Sequence, residues 1–343
     1  MRIGVVGAGR IGGWHARNLS ASGAGDRLLV YDTQLAAAQR LAQAIDGLAC
    51  PSLSDLIGDV DAVVIATPAD ARAEAFETAV NAGLPVFCEK PLAASAAQAR
   101  QLAGTAARAR DARVQIGFQR RCDPDFRSAR ARIRAGDMGR LLFARATAFD
   151  HVPPREEYTR SSGDIFADCL IHDIDAVHWL TGLTTTSVQA DEALLDERYA
   201  VATLVLALSD GTPAVLTASR MNPYGYDHRM ELLGTRDSVA IGLEERTPLR
   251  SALTLGASTG GITVFCDFTE RFAVAYEEEM RVFRRLAAEG GASVCTPDEA
   301  VAAQEVAEAA ALSARTGARV APAGVPAYAL AVDSPSAGGI NQA

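Results

Sequence analysis

Apolar residues come first in short unbroken runs and only later in alternation. Residues 2–6, 27–31, 61–66, 85–88 and 114–118 are such runs, each four to six residues long. Runs this short and continuous predict strands buried on both faces. Between them lie alanine-rich stretches with helical spacing, at 13–20, 35–44, 71–82 and 95–110. Strands alternating with helices of this length predict a doubly wound parallel sheet of the α/β class, the Rossmann arrangement. After residue 120 the rhythm changes. Residues 140–149, 200–208, 214–219, 229–233 and 238–241 read as sheet strands joined by turns such as Ser209-Asp210-Gly211. Helices are expected at 165–181, 270–288 and 298–316. The pattern divides the chain into a Rossmann domain (1–120) and an α+β domain with a large, mostly antiparallel open sheet (121–330). A flexible tail rich in Ser, Gly, Pro and Ala follows at 331–343. The run Ala202 to Leu208 is apolar on both faces, which predicts that one face of the second sheet is an interface.

Composition narrows the choice of partners. A net charge of −9 over 343 residues argues against nucleic acid or an anionic membrane surface as partner. Arg127, Arg130 and Arg134 recur at helical spacing and read as one solvated helix face. The six cysteines form no CxxC pair, so neither a zinc ribbon nor a disulfide framework is expected. Reduced thiols fit the cytoplasm. Met1-Arg2 runs straight into a strand, without the pattern of an export signal, and no apolar run reaches the length of a membrane span.

Gly7-Ala8-Gly9-Arg10-Ile11-Gly12 follows the first strand and opens a helix. Gly7 allows the tight turn, Gly9 lets backbone approach a pyrophosphate, and Gly12 lets helix pack on strand. The phosphates then sit at the helix N-terminus. Asp32 ends the second strand twenty residues beyond Gly12, where a carboxylate meets ribose hydroxyls. Thr33 and Gln34 offer no cation for a 2′-phosphate, so NAD is expected over NADP. Thr67-Pro68 and Glu89-Lys90, which close later strands at the same sheet edge, join the expected cofactor site.

Lys90 is the only lysine among 33 basic residues. Arginine replaces lysine well on a surface, but not where a compact ammonium must touch a reacting oxygen. Asp168 and His172 lie four apart on an expected helix and so share a face. A histidine beside a carboxylate is a ready proton acceptor, so both join Lys90 as catalytic candidates. No further ligands stand at metal-site spacing, and no metal is expected.

The Gly-x-Gly-x-x-Gly loop, Glu89-Lys90-Pro91 and the Asp168-x-x-x-His172 pair occur in the order and spacing of one family. The chain resembles the glucose–fructose oxidoreductase / inositol dehydrogenase / MocA group to about residue 322. Pro153-Pro154, Tyr158, Ser162-Gly163, Ile171-His172-Asp173, Tyr224-Gly225-Tyr226-Asp227 and Glu270-Arg271-Phe272 are most similar to its inositol dehydrogenase branch. The resemblance implies chemistry at Lys90, Asp168 and His172, with Arg120, Asp150 and Tyr226 (or Tyr224) near the substrate. Two departures fall near the expected pocket: Phe149-Asp150-His151 replaces an Arg-Asp-Pro, and Gly163-Asp164 replaces a Gly-Gly.

The implied activity is reversible NAD-dependent oxidation of a ring secondary alcohol to a ketone. His172 would take the hydroxyl proton, Asp168 would orient the imidazole and favour its charged form, and Lys90 would stabilise the developing alkoxide. A cyclitol such as myo-inositol is the leading substrate and a pyranose sugar the closest alternative. A non-catalytic NAD-binding regulator is the reading from a different class. The resemblance also implies a homotetramer built sheet against sheet.

Overall fold

The winding order reverses within one parallel sheet, and that reversal opens a crevice at the carboxyl ends of its strands. The structure, a computed structural model, describes residues 1–109, 111–156, 158, 162–194, 199–242 and 265–323. The expected tail at 331–343 lies outside the described residues. The first six strands are β1 (Arg2–Val6), β2 (Arg27–Tyr31), β3 (Leu48–Ala49), β4 (Ala62–Ile65), β5 (Val86–Glu89) and β6 (Val114–Gly117). They pair in the order β3-β2-β1-β4-β5-β6, every ladder parallel. The chain winds outward from β1 and then returns through β4, so the order reverses between these two strands. At such a switch point the loops leaving the carboxyl ends diverge and open a crevice. All four residues of β4 are buried, as its unbroken apolar run requires.

The crossovers are α1 (Arg10–Ala21), α2 (Leu35–Ala44), α3 (Leu53–Gly58), α4 (Ala73–Asn81) and α5 (Ala96–Arg108). Helix α6 (Pro124–Arg134) then leads into β7 (Leu141–Phe149). It starts sharply because Asp123 accepts hydrogen bonds from the Asp125 and Phe126 amides and Pro124 occupies the first turn.

The second sheet contains β7, β8 (Thr185–Leu194), β9 (Ala200–Leu208), β10 (Pro213–Ser219), β11 (Asp227–Gly234) and β12 (Ser238–Ile241). Its order is β12-β11-β7-β10-β9-β8. Only β7 and β10 run parallel; the other ladders are antiparallel. Strand β8 was not expected from the sequence. Its Thr-Thr-Ser-Val-Gln-Ala-Asp-Glu stretch lacks an apolar alternation, and pairing with β9 makes it a strand. On β9, Ala202, Leu204 and Leu206 are buried, while Val201 and Val205 on the opposite face are 47% and 39% exposed.

Three further helices join the halves. They are α7 (Ile171–Thr181), α8 (Ala273–Glu289) and α9 (Pro297–Thr316). Met280, Phe283 and Ala287 of α8 share one core cluster with Ile3, Val5, Leu28 and Val64 of the parallel sheet. The end of the chain thus returns to cover the first sheet. A capping box between Thr296 and Glu299 starts α9. Among the described residues, no helix is long and apolar enough to cross a membrane.

Candidate active site

The glycine loop divides into two closed positions and one open one. Gly7 has φ +100°, and a Cβ there would meet the Ala66 backbone at 2.9 Å. A Cβ on Gly12 would stand 2.0 Å from the Gly7 carbonyl oxygen. Both glycines are therefore required by protein contacts alone. Gly9, which caps α1 in extended conformation, faces open space: nothing lies within 4 Å of a Cβ there. No side chain caps α1, so its first N–H groups and the positive end of its dipole face this opening. Asp32 already accepts the Ala8 and Gln34 amides, each at 2.8 Å. That holds the carboxylate beside the loop, where a ribose would lie. Thr67 Oγ1, just past β4, is buried with no hydrogen-bond partner among the described residues. This open cradle, acidic residue and orphan hydroxyl at a switch point fit a dinucleotide. Arg10 stacks over Phe268 (4.7 Å) and Tyr158 (5.5 Å), tying the start of α1 to the second half of the chain. Ile11 packs against the core, and Pro68 leads into a 3₁₀ turn.

Strand β5 delivers Glu89-Lys90-Pro91 to the same edge. Arg72 clamps the turn: it donates to the carbonyls of Thr67 (2.8 Å), Glu89 (2.5 Å) and Pro91. Lys90 Nζ donates to the Asp168 carbonyl at 2.8 Å and stands 3.5 Å from Asp168 Oδ1. The Lys90 side chain remains 14% exposed, so it is held yet not sealed off.

Asp168 departs from the expected arrangement. It lies in a π turn, Phe166–Leu170, that precedes α7; His172 is the second residue of α7. The wider turn re-aims side chains relative to α-helical spacing. Three donors compete for the Asp168 carboxylate: Tyr158 Oη at 2.9 Å, Lys90 at 3.5 Å and Arg220 Nη2 at 3.5 Å. His172 Nδ1 meets no partner among the described residues, and its ring packs edge-on against Phe118 at 5.9 Å. The expectation that Asp168 orients His172 and favours its charged form is therefore corrected. Burial, then the positive charges of Lys90 and Arg120, hold the His172 pKa well below 6.5.

The expected substrate residues form a layer around His228. Arg120 is buried; it forks onto Asp173 and donates to His228 Nδ1 at 2.9 Å. That bond leaves the His228 proton on Nε2, which faces Asp150 Oδ1 at 3.6 Å. Tyr226 stacks on His228 with centroids 4.0 Å apart and an 11° angle. Arg120 thus supports the site from beneath, while Asp150 stays 36% exposed at its wall. The two departures from the inositol pattern have local uses. His151 Nδ1 meets the Asn222 carbonyl at 3.2 Å, and Asp164 caps the π turn through the Ala167 amide at 2.8 Å.

Three residues at the site escaped sequence reasoning. Tyr158 and Arg220 hold Asp168, and Arg220 Nε and Nη1 are buried with no hydrogen-bond partner among the described residues. His228 lies two residues after Tyr226 on a strand, so it faces the same side; that period was a legible signal.

Residues 1–118 match the model for an oxidoreductase family with an NAD-binding Rossmann fold, and residues 126–240 match the GFO/IDH/MocA C-terminal domain. A myo-inositol dehydrogenase of Streptomyces leeuwenhoekii is 36% identical over 85% of this chain and 90% of its own. The crystal structure of a myo-inositol dehydrogenase from Corynebacterium glutamicum superposes with a TM-score of 0.83 at 30% identity, covering 94% of this chain and 98% of that one. The scyllo-inositol dehydrogenase of Lactobacillus casei, solved with NAD(H) and scyllo-inositol, gives 0.84 at 25% identity over 94% and 99%. With both halves matched by its family models and a relative 36% identical over most of the chain, the chain belongs to the GFO/IDH/MocA family of oxidoreductases.

Proposed function

We propose that this protein oxidises a ring secondary alcohol of a cyclitol, myo-inositol foremost, to the ketone in a reversible, NAD-dependent reaction. One observation carries the reading. The lone lysine is held against Asp168 where the parallel sheet's edge meets the second half of the chain, and its charge is among the causes that lower the pKa of His172.

NAD, when bound, supplies the hydride acceptor. The protein's own groups handle the hydroxyl. His172 accepts its proton; burial keeps the imidazole neutral, the form that can do so. Lys90 donates to the same oxygen and stabilises alkoxide character as it develops. Asp168 fixes the ammonium through its carbonyl and carboxylate, so Lys90 arrives with its direction set. Asp150 and Tyr226 bind the remaining hydroxyls, with Arg120 holding their supporting histidine.

The Asp32 carboxylate and the absence of a cation at Thr33 and Gln34 favour NAD over NADP. Residues 1–120 hold the dinucleotide, while 121–330 bind substrate and build the contact between copies. Val201 and Val205 on the open face of the second sheet support a homotetramer formed sheet against sheet. Six free cysteines support the cytoplasm. A pyranose sugar is the second substrate class. The test is a panel of cyclitols and sugars with NAD and NADP, followed by absorbance of the reduced nicotinamide. Oxidation of myo-inositol above every sugar supports the proposal; no turnover of any polyol overturns it.

A further inference from the structure

Behind Lys90 lies a cluster that the proposed chemistry does not use. His15 of α1, Glu89 of β5 and Glu279 of α8 bring one donor atom each within 4.8 Å of one another. His15 is 0%, Glu279 1% and Glu89 6% exposed. His15 Nδ1 and Glu279 Oε2 are buried and meet no hydrogen-bond partner among the described residues. Two carboxylates and an imidazole in such a place need a cation, and the candidates are a metal ion or protons.

Distance decides between them. His15 Nε2 and Glu89 Oε1 are 2.6 Å apart. Two ligands on one tetrahedral zinc stand about 3.3 Å apart, given metal–ligand bonds near 2.0–2.1 Å. A separation of 2.6 Å is that of two heavy atoms sharing a proton. The other Glu89 oxygen accepts the Lys90 amide at 3.1 Å. The Glu89 carboxylate therefore spans from an imidazole on the cofactor-loop helix to the peptide of the catalytic lysine. Glu279 completes the cluster from a helix that belongs to the second half of the chain.

We propose that His15, Glu89 and Glu279 form a proton-holding lock that positions Lys90, with His15 an N–H donor to Glu89 and Glu279 carried in its neutral form. His15 and Glu279 are positioning residues, acting on the alcohol only through the Glu89-Lys90 peptide. The inference rests on the role given to Lys90 above. The charged and titratable groups around the lock are consistent with it. Burial, then Glu89, pushes the Glu279 carboxyl well above its ordinary range, and Tyr276, on the same helix, is raised by burial first and then by Glu89. Arg72 contacts Glu89 only through its backbone carbonyl, and the Gln115 amide reaches the Glu279 backbone at 3.5 Å, so neither neutralises a carboxylate. Arg10 acts on Tyr276 from a distance, and the Lys90 ammonium points away, toward Asp168.

The single lysine makes the test direct. Metabolic labelling with ¹³C,¹⁵N-lysine gives the full-length protein one lysine side-chain NMR signal, that of Lys90. In His15→Ala and Glu279→Ala that signal should move, and kcat for myo-inositol should fall about ten- to hundredfold while KM changes little. Glu279→Gln, which replaces a neutral acid by a neutral amide of the same shape, should restore the signal and most of kcat. Metal analysis of the wild type should find no stoichiometric ion. An unmoved signal in His15→Ala, a Glu279→Gln variant as impaired as Glu279→Ala, or one bound metal per chain would each overturn the lock. A moved and rescued signal in a protein inert toward every polyol would leave the lock standing and overturn only the proposed function.

Discussion

Lys90 and Asp168 meet twice: the ammonium donates to the Asp168 carbonyl at 2.8 Å and lies 3.5 Å from its carboxylate. One residue directly follows a strand of the parallel sheet and the other sits in a π turn, 78 positions later. A backbone acceptor cannot swing away, so it fixes the ammonium more firmly than a side-chain pair alone. Arg220 and Tyr158 hold the carboxylate from its other sides.

Lys90→Arg should fold and bind NAD as the wild type does, yet lose on the order of 10²-fold or more in kcat, the scale for removing one charge-stabilising donor. A planar guanidinium cannot place one donor both on the Asp168 carbonyl and on the reacting oxygen. Steady-state kinetics with circular dichroism and calorimetry check this. Half of wild-type kcat would remove Lys90 from its role.

His172 titrates below its ordinary 6.5, because burial and nearby positive charge disfavour the imidazolium. Oxidation requires the neutral form, so kcat/KM should rise with pH only in the acid range and be level through neutrality. The folded pKa is depressed, so the unfolded chain binds more protons between the two values. His172 therefore contributes stability above 6.5 that is lost as pH falls through the folded pKa. His172→Ala should abolish most oxidation, remove this acid loss of stability and leave NAD affinity unchanged. An activity limb centred above pH 7 in the wild type would contradict the assignment.

Asp168→Asn should lower kcat about 10- to 100-fold by loosening Lys90. It should also destabilise the protein by roughly 2–4 kcal/mol, because the buried Arg220 guanidinium loses its carboxylate. Urea unfolding gives the second number. An unchanged midpoint would mean that Arg220 does not depend on Asp168.

Asp32→Ala should weaken NAD far more than NADP, with up to about 1.5–3 kcal/mol lost per hydrogen bond to the charged acceptor. Some loss should come from the loop itself, since Asp32 also holds the Ala8 amide. Titration calorimetry with both dinucleotides separates the effects. A wild type that already prefers NADP would overturn this reading.

Val205→Glu, on the open face of β9, should convert the expected tetramer into smaller species by placing charge in an apolar contact. Light scattering at micromolar concentration measures this. A wild-type monomer would remove the sheet-to-sheet interface.

Local spacing in the chain was enough for some of these features. The tight turn at Gly7, the close packing at Gly12 and the carboxylate at Asp32 depend on residues adjacent along one βαβ unit, where steric rules act over a few bonds. The strand run before Glu89-Lys90 likewise places that motif at the sheet edge. Other features needed the folded chain. Four-residue spacing put Asp168 beside His172, but a π turn and three competing donors turned its carboxylate toward Lys90. The resemblance implies Arg120 near the substrate, but its ion pair with Asp173 and its bond to His228 join residues 53 and 108 positions away. Strand β8 carries no apolar alternation and exists through its pairing with β9. His15, Glu89 and Glu279 come together from three elements, and no periodicity connects them. Periodicity reports which face of an element is buried; charge partners separated by tens to hundreds of residues are chosen by packing, and only the tertiary structure decides them.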